Sequence, residues 1–219
     1  MQIPVVRNIL EANDRISEQL RLMFGQMRVL ALNLMSSPGS GKTTILERTL
    51  TDLKAEFEMA VIEGDVMTSN DAKRVAATGA RAIQINTDGG CHLDSSMVLE
   101  ACNRLDLKGT DILFVENVGN LVCPAEFSVG EDHKVAILSV TEGDDKPEKY
   151  PLLFAESRVM ILNKIDLMPY VDFDLERASR FARALNKDIE IFTLSARTGE
   201  GMEAWYAWLR KEVQTKKNA

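Results

Sequence analysis

The stretch that most limits what this chain can fold into is Ser36-Ser37-Pro38-Gly39-Ser40-Gly41-Lys42-Thr43-Thr44. The apolar residues 29–35 before it read as a buried strand, and residues 44–53 after it read as a helix. Strand, Gly-rich turn and helix in that order are the setting of a phosphate loop. Its glycines let the backbone curl until successive N–H groups converge on phosphate oxygens, and the helix that follows adds the positive end of its dipole. Gly39, Ser40, Gly41 and Thr44 belong to this cradle. Lys42 is placed to reach the β- and γ-phosphates and serve the chemistry, and the Thr43 hydroxyl to hold Mg²⁺. Ser36 stands where the usual pattern has its first Gly, a place that a small residue can fill.

With 219 residues, the chain suffices for one sizeable α/β core or for a domain with a helical extension. A net charge of −7 offers no basic stripe to track nucleic-acid phosphates. No apolar run approaches the ~20 residues that span a bilayer, and residues 1–7 lack the apolar centre of a signal peptide. Three cysteines do not make a disulfide framework. Together these features predict a cytoplasmic protein with neither nucleic acid nor membrane as partner.

Residues 5–27 carry Val5, Ile9, Ile16, Leu20, Met23 and Phe24 at helical spacing, which predicts an N-terminal helix (1–27) packed on or beside the domain. A domain over 28–213 and a frayed tail over 214–219 follow. Within the domain, strands are predicted at 59–62, 82–86, 111–115, 134–141, 159–162 and 189–194. Helices are predicted at 71–78, 93–105, 174–185 and 202–213, and 142–149 reads as a polar surface loop. Strands alternating with helices imply an α/β fold with a mainly parallel sheet flanked by helices. Glu63-Gly64-Asp65-Val66 lies at a strand end on the ligand side of such a sheet. Asp65 there either holds Mg²⁺ or orients a water, or simply makes the turn. Cys102, on the apolar side of the helix at 93–105, reads as a small buried hydrophobe.

Two further motifs select the nucleotide. Glu116-Asn117-Val118-Gly119 ends the apolar strand at 111–115 and is similar to the second phosphate-side motif of GTPases, with Glu in place of the usual Asp. Glu116 can hold Mg²⁺, and the Gly119 N–H can meet a γ-phosphate. Asn163-Lys164-Ile165-Asp166 matches the guanine-specificity motif. Guanine presents N1–H and N2–H₂ on one edge, and the Asp166 carboxylate can accept both, whereas adenine leaves it unpaired. Asn163 ties loops together, the Lys164 stem lies on the base, and Ser195-Ala196 is similar to the second guanine loop, whose backbone N–H meets the base oxygen. GTP and GDP are the expected ligands.

Cys91-His92 and Cys123-Pro124 both fall in loops that follow strands on the same side of the sheet. Thiolate and imidazole suit Ni²⁺ or Zn²⁺. Two Cys and one His fall one ligand short of a closed zinc site, which a dimer can complete by pooling two sets. The spacing alone equally allows a partly buried thiol beside an unrelated surface His. Cys91 and His92 stand on a different loop from Cys123 and need not move with it.

Taken together, residues 36–44, Glu63-Gly64-Asp65, Cys91-His92, the run Glu116-Asn117-Val118-Gly119-Asn120-Leu121-Val122-Cys123-Pro124, residues 163–166 and the helix around Asn8-Ile9-Leu10-Glu11-Ala12-Asn13-Asp14 resemble the hydrogenase nickel-incorporation GTPases of the HypB family. The resemblance covers nearly the whole chain. It implies a P-loop GTPase of the SIMIBI class that hydrolyses GTP slowly with Mg²⁺, held by Thr43, Asp65 and Glu116, and it implies catalytic roles for Lys42 and Asp65. It further implies Ni²⁺ or Zn²⁺ at Cys91, His92 and Cys123, and a homodimer favoured by GTP. The implied partners are the nickel metallochaperone HypA and the hydrogenase large-subunit precursor, in [NiFe]-hydrogenase maturation. Three departures narrow this. The chain carries neither a Cys-rich nickel motif near its start nor a His-rich stretch, so nickel storage is not expected. Ser96 stands where some members have another His. Ser37 stands where deviant phosphate loops have an extra Lys. The apolar Leu167-Met168-Pro169-Tyr170-Val171 is either part of a dimer surface or a cap on the core. Rival readings are a metal carrier that keeps GTP as a structural ligand, which turnover with Mg²⁺ separates from a GTPase, and a urease-maturation relative, whose motif is Cys-Pro-His.

Overall fold

A computed structural model describes residues 4–65 and 70–219, without the side chains of residues 4–9, 70 and 72. The elements run α1 Pro4–Met27, β1 Leu30–Ser36, α2 Lys42–Leu53, β2 Met59–Asp65, α3 Asn70–Ala77, β3 Arg81–Asn86, α4 Ser95–Arg104, β4 Ile112–Glu116 and α5 Cys123–Glu126. They continue with β5 His133–Ser139, α6 Lys146–Lys149, α7 Pro151–Glu156, β6 Ser157–Asn163, a 3₁₀ turn Ile165–Tyr170, α8 Leu175–Leu185, β7 Glu190–Thr193 and α9 Met202–Asn218. One seven-stranded sheet has the order β3-β2-β4-β1-β5-β6-β7, and every pairing is parallel.

Alternation along β1 sets the layers. Leu30, Leu32 and Leu34 face a core shared with Ile45, Leu46 and Leu50 of α2 and Trp205 and Leu209 of α9. Ala31 faces the opposite side, with Leu20 and Phe24 of α1 and Val98 of α4. The N-terminal helix is therefore part of the domain. Asp94 caps α4 by accepting the Met97 N–H at 2.9 Å. Val66 of the Glu63-Gly64-Asp65-Val66 turn, and the side chains of Val5 and Ile9, lie outside the described residues.

Two expectations need correction, and one pair of alternatives narrows. The segment 214–219 is not a frayed tail, because α9 continues to Asn218. Lys216 reaches Asp132 at 2.6 Å and Lys217 reaches Asp111 at 2.6 Å. Segment 142–149 is not simply a surface loop. It contains α6, and Glu142 accepts hydrogen bonds from the Ser37 hydroxyl and, at 3.0 Å, from the Ser139 N–H, so it braces the phosphate loop from below. In 167–171, Leu167, Met168 and Val171 pack on the core beside α8, while Tyr170 is 83% exposed. That run caps the core with one aromatic left outside.

Candidate functional site: a nucleotide cleft beside a Cys/His cluster

β1 and β4 are neighbours, so the turns after them lie side by side at the C-terminal edge of the sheet. There the loop between β1 and α2 lines a cleft of about 570 Å³ together with Glu63, Asp65, Asp71, Arg74, Val118, Gly119 and Lys164. Gly41 has φ +92, in the left-handed region. A side chain there would also collide with the Asn163 amide, so glycine is required on both counts.

The residues expected to bind nucleotide converge. Lys42 Nζ donates to Glu116 Oε1 at 2.9 Å, and the Thr43 hydroxyl donates to the same oxygen at 2.6 Å. Asn163 Nδ2 donates to the Ser40 carbonyl at 2.9 Å, and its Oδ1 accepts the Ala196 N–H at 3.1 Å. Asn163 thus joins the loop at Ser40 to the loop at Ala196. Lys164 holds a positive φ of 65 and its Nζ reaches the Gly39 carbonyl at 2.6 Å. The buried Ser195 hydroxyl accepts the Thr198 N–H at 3.1 Å and closes the guanine-loop turn. Asp166 Oδ1 is buried with no hydrogen-bond partner, the state expected of an acceptor whose donors come from a ligand.

The carboxylates differ from expectation. Oxygens of Glu63, Asp71 and Glu116 lie within 4.8 Å of one another, a grouping that does not include Asp65. Asp65 lines the cleft from the end of β2, and its carbonyl accepts the Thr87 N–H at 3.0 Å. Glu63 and Glu116 are buried, each with its Oε2 lacking a hydrogen-bond partner. Burial, then the neighbouring Glu116 charge, push the Glu63 carboxyl up to about 8, against the pull of Lys42. Sequence reasoning missed Glu63 and Asp71. Glu63 sits in the quoted turn, and its register opposite Glu116 becomes visible only once β2 and β4 are known to pair.

Cys91, His92 and Cys123 do come together, with ligand atoms within 4.8 Å. The Cys91 sulfur lies 3.4 Å from His92 Nδ1. A hydrogen bond to Cys123, then burial, raise the Cys91 thiol, while burial lowers His92 against the pull of Asp94 and Glu126. His92 packs against Phe127 in a tilted arrangement, with centroids 4.1 Å apart and 31° between the planes. Cys102 stands apart on α4, and burial pushes it up to about 12, as suits an inert thiol. The loops that carry Cys91-His92 and Cys123 are not independent. Asn120 Nδ2 donates to the Cys91 carbonyl at 3.3 Å, and the Leu93 N–H donates to Asn117 Oδ1 at 2.9 Å.

A family model described as the nucleotide-binding domain of CobW, HypB and UreG matches residues 30–193. The chain is 55% identical over 205 residues to the hydrogenase maturation factor HypB of Escherichia coli (strain K12), an alignment covering 94% of this chain and 71% of that one. It belongs to the HypB family. Solved HypB structures superpose closely. HypB from Helicobacter pylori, in complex with nickel, gives a TM-score of 0.89 at 36% identity over 93% of this chain and 96% of that one. HypB from Archaeoglobus fulgidus gives 0.87 at 35% identity, covering 93% and 99%. As a HypB-family chain, it is a P-loop GTPase by fold and motif. Among the described residues no helix is long and apolar enough to cross a membrane.

Proposed function

We propose that this chain hydrolyses GTP to GDP and phosphate and couples that reaction to nickel delivery during [NiFe]-hydrogenase maturation in the cytoplasm. The observation that carries the proposal is the segment from Glu116 to Cys123. At one end it meets Lys42 and Thr43, and at the other it supplies a sulfur to the cluster with Cys91 and His92.

Asp166 reads the guanine edge, Asn163 holds the two nucleotide loops in register, and Lys164 lies across the phosphate loop. Lys42 now pairs with Glu116, and turns to the γ-phosphate when nucleotide enters, where its charge offsets what develops on the transferring phosphoryl group. Thr43, Glu116 and Glu63 fit Mg²⁺, because a hydroxyl and two carboxylates with orphaned buried oxygens are a hard-cation donor set. Asp65 and Asp71 flank that position and can hold metal-bound or attacking water. Held by these residues, Mg²⁺ would neutralise negative charge on the transferring phosphoryl group. Cys91, His92 and Cys123 form a soft donor set for Ni²⁺ as cargo, or Zn²⁺.

A GTP-favoured homodimer would bring a fourth ligand or a second donor set to the metal, and Tyr170 is the exposed apolar contact beside the guanine motif. A nickel metallochaperone of the HypA kind and a hydrogenase large-subunit precursor are the partners on either side of the transfer. The test is turnover of GTP with Mg²⁺, with light scattering on wild type and Tyr170→Ala loaded with GDP or a non-hydrolysable GTP analogue. Absence of turnover rejects the enzyme in favour of a carrier with structural GTP. A monomer under all conditions rejects the dimer.

A further inference from the structure

Leu93 packs against Gly64, hydrogen-bonds Asn117 just after Glu116, and directly follows the Cys91-His92 pair. It is fully buried. Its side chain lies against Gly64, between Glu63 and Asp65. A Cβ at 64 would meet Leu93 Cγ at 2.7 Å, Cδ1 at 2.8 Å and Cδ2 at 2.9 Å. Gly64 is therefore glycine because Leu93 occupies the space of its side chain.

The backbone of Leu93 is held from the other side. Its N–H donates to Asn117 Oδ1 at 2.9 Å, and that oxygen also accepts the Val118 N–H at 3.0 Å. Asn117 Nδ2 donates to Asn33 Oδ1 at 3.2 Å, and the Asn117 N–H donates to the Leu34 carbonyl at 3.0 Å. Both partners sit on the central strand β1, so Asn117 is anchored to the rigid part of the sheet. Three further hydrogen bonds fasten the loop. The Thr87 N–H donates to the Asp65 carbonyl at 3.0 Å and its hydroxyl to the Gly90 carbonyl at 2.9 Å, while Asn120 Nδ2 reaches the Cys91 carbonyl at 3.3 Å.

We propose that Leu93 and Asn117 are positioning residues that set the geometry of the Cys91, His92 and Cys123 cluster according to the state of the phosphate site. The inference rests on the GTP and nickel reading above and names the contacts that link its two halves. Asn117 itself stays on β1; when Val118 and Gly119 beyond it engage phosphate, the Val118 N–H shifts on the Asn117 oxygen and changes the hydrogen bond which that shared oxygen accepts from the Leu93 N–H. The filled space at Gly64 leaves Leu93 no room to compensate. Cys91 and His92 shift with Leu93, while Cys123 shifts with its own segment. Metal–ligand distances tolerate only about ±0.2 Å, so a sub-ångström offset between the loops alters affinity.

The test uses Ni²⁺ as probe on the full chain, loaded with GDP or with a non-hydrolysable GTP analogue. The readout is the ratio of nickel dissociation constants between the two states, with coupling on the order of 5–150-fold where two sites are linked. Asn117→Ser and Leu93→Ala are expected to bring the ratio near one while nickel still binds. A purely structural role would weaken nickel equally in both states and leave the ratio unchanged. Gly64→Ala should disturb nickel binding, and Gly64→Ala/Leu93→Ala, which opens the space, should recover GDP-state affinity with the ratio still near one. Retention of the wild-type ratio in both Asn117→Ser and Leu93→Ala overturns the inference. Equal nickel affinity in both states of the wild type overturns it while leaving the GTP and nickel reading in place. A wild type that binds no nickel removes that reading and the inference with it.

Discussion

Asp166→Asn separates a ligand-binding role from a structural one, because the two predict opposite signs. In the nucleotide-free protein Asp166 Oδ1 is buried and unpaired, so the fold gains nothing from that oxygen and bears its desolvation. Bound guanine supplies two N–H donors, each worth about 1.5–3 kcal/mol to a charged acceptor. Losing both amounts to about 3–6 kcal/mol, or roughly 10²–10⁴-fold in dissociation constant. Asparagine also turns an NH₂ group toward the guanine donors, while xanthine offers that edge an acceptor. GDP affinity should therefore fall by that factor and xanthosine diphosphate affinity should rise. Unfolding free energy without nucleotide should stay level or increase by up to about 1 kcal/mol. Displacement of a fluorescent guanine nucleotide and urea titration of the nucleotide-free protein measure the two quantities. GDP affinity within tenfold of wild type refutes the guanine assignment. Equal weakening of both nucleotides together with a clear stability loss makes Asp166 a structural residue.

Lys42→Ala should abolish GTP turnover and destabilise the nucleotide-free protein by about 3–5 kcal/mol, because Glu116 is left buried without its cation; wild-type turnover in that variant rules out the phosphate-loop assignment. Glu63, pushed up to about 8 by burial and then by Glu116, keeps its proton in the folded state at pH values where the unfolded chain has lost it. Protons bound on folding mean that stability falls as pH rises from the ordinary carboxylate range to about 8, and Glu63→Gln should flatten that slope in metal- and nucleotide-free urea titrations; parallel slopes for the two proteins discard the buried-proton account. Deleting residues 214–219 should lower stability by about 1–2 kcal/mol through loss of the Lys216 and Lys217 ion pairs; an unchanged denaturation midpoint returns that segment to a loose tail.

Local chemistry explains which features could be read in advance. The phosphate loop, the guanine motif and the Cys91-His92 and Cys123-Pro124 positions are contiguous strings whose function depends on backbone curl or a single side-chain type, so their order along the chain displays them. The strand series was legible because β1, β4 and β6 are buried on both faces and read as unbroken apolar runs. Strand order could not be read the same way. β4 lies between β2 and β1, and that placement alone sets Glu63 beside Glu116. Asp71 joins them from α3, again by topology. The tail was misjudged because Lys216 and Lys217 look like solvated charge until Asp132 and Asp111, at the opposite edge of the sheet from the nucleotide, are seen to meet them. The run 167–171 is ambiguous in sequence for a similar reason. An apolar string does not show which of its members face inward, and a 3₁₀ turn with Pro169 inside buries Leu167 and Met168 in part while turning Tyr170 out.

Dividing the soft donor set between two loops has a mechanical consequence. A site built on one tight loop, such as Cys-x-x-Cys, carries its geometry with it and holds metal whatever the rest of the domain does. Here Cys91 and His92 hang from the ends of β2 and β3 through Thr87, while Cys123 follows β4 and opens α5. Each loop is rooted next to a strand end that carries a carboxylate of the cleft, Glu63 on β2 and Glu116 on β4. The sulfur of Cys123 and the Cys91-His92 pair are therefore referenced to two different walls of the nucleotide site. On the proposed reading, a change that spreads or closes those walls changes the distance between the donors. On the same reading, affinity for a cation that demands short, directional bonds to thiolate and imidazole depends on what occupies the cleft. The reverse follows by linkage: a cation that draws the three ligands together draws the two carboxylate-bearing strand ends with them and biases the cleft toward the nucleotide state that fits.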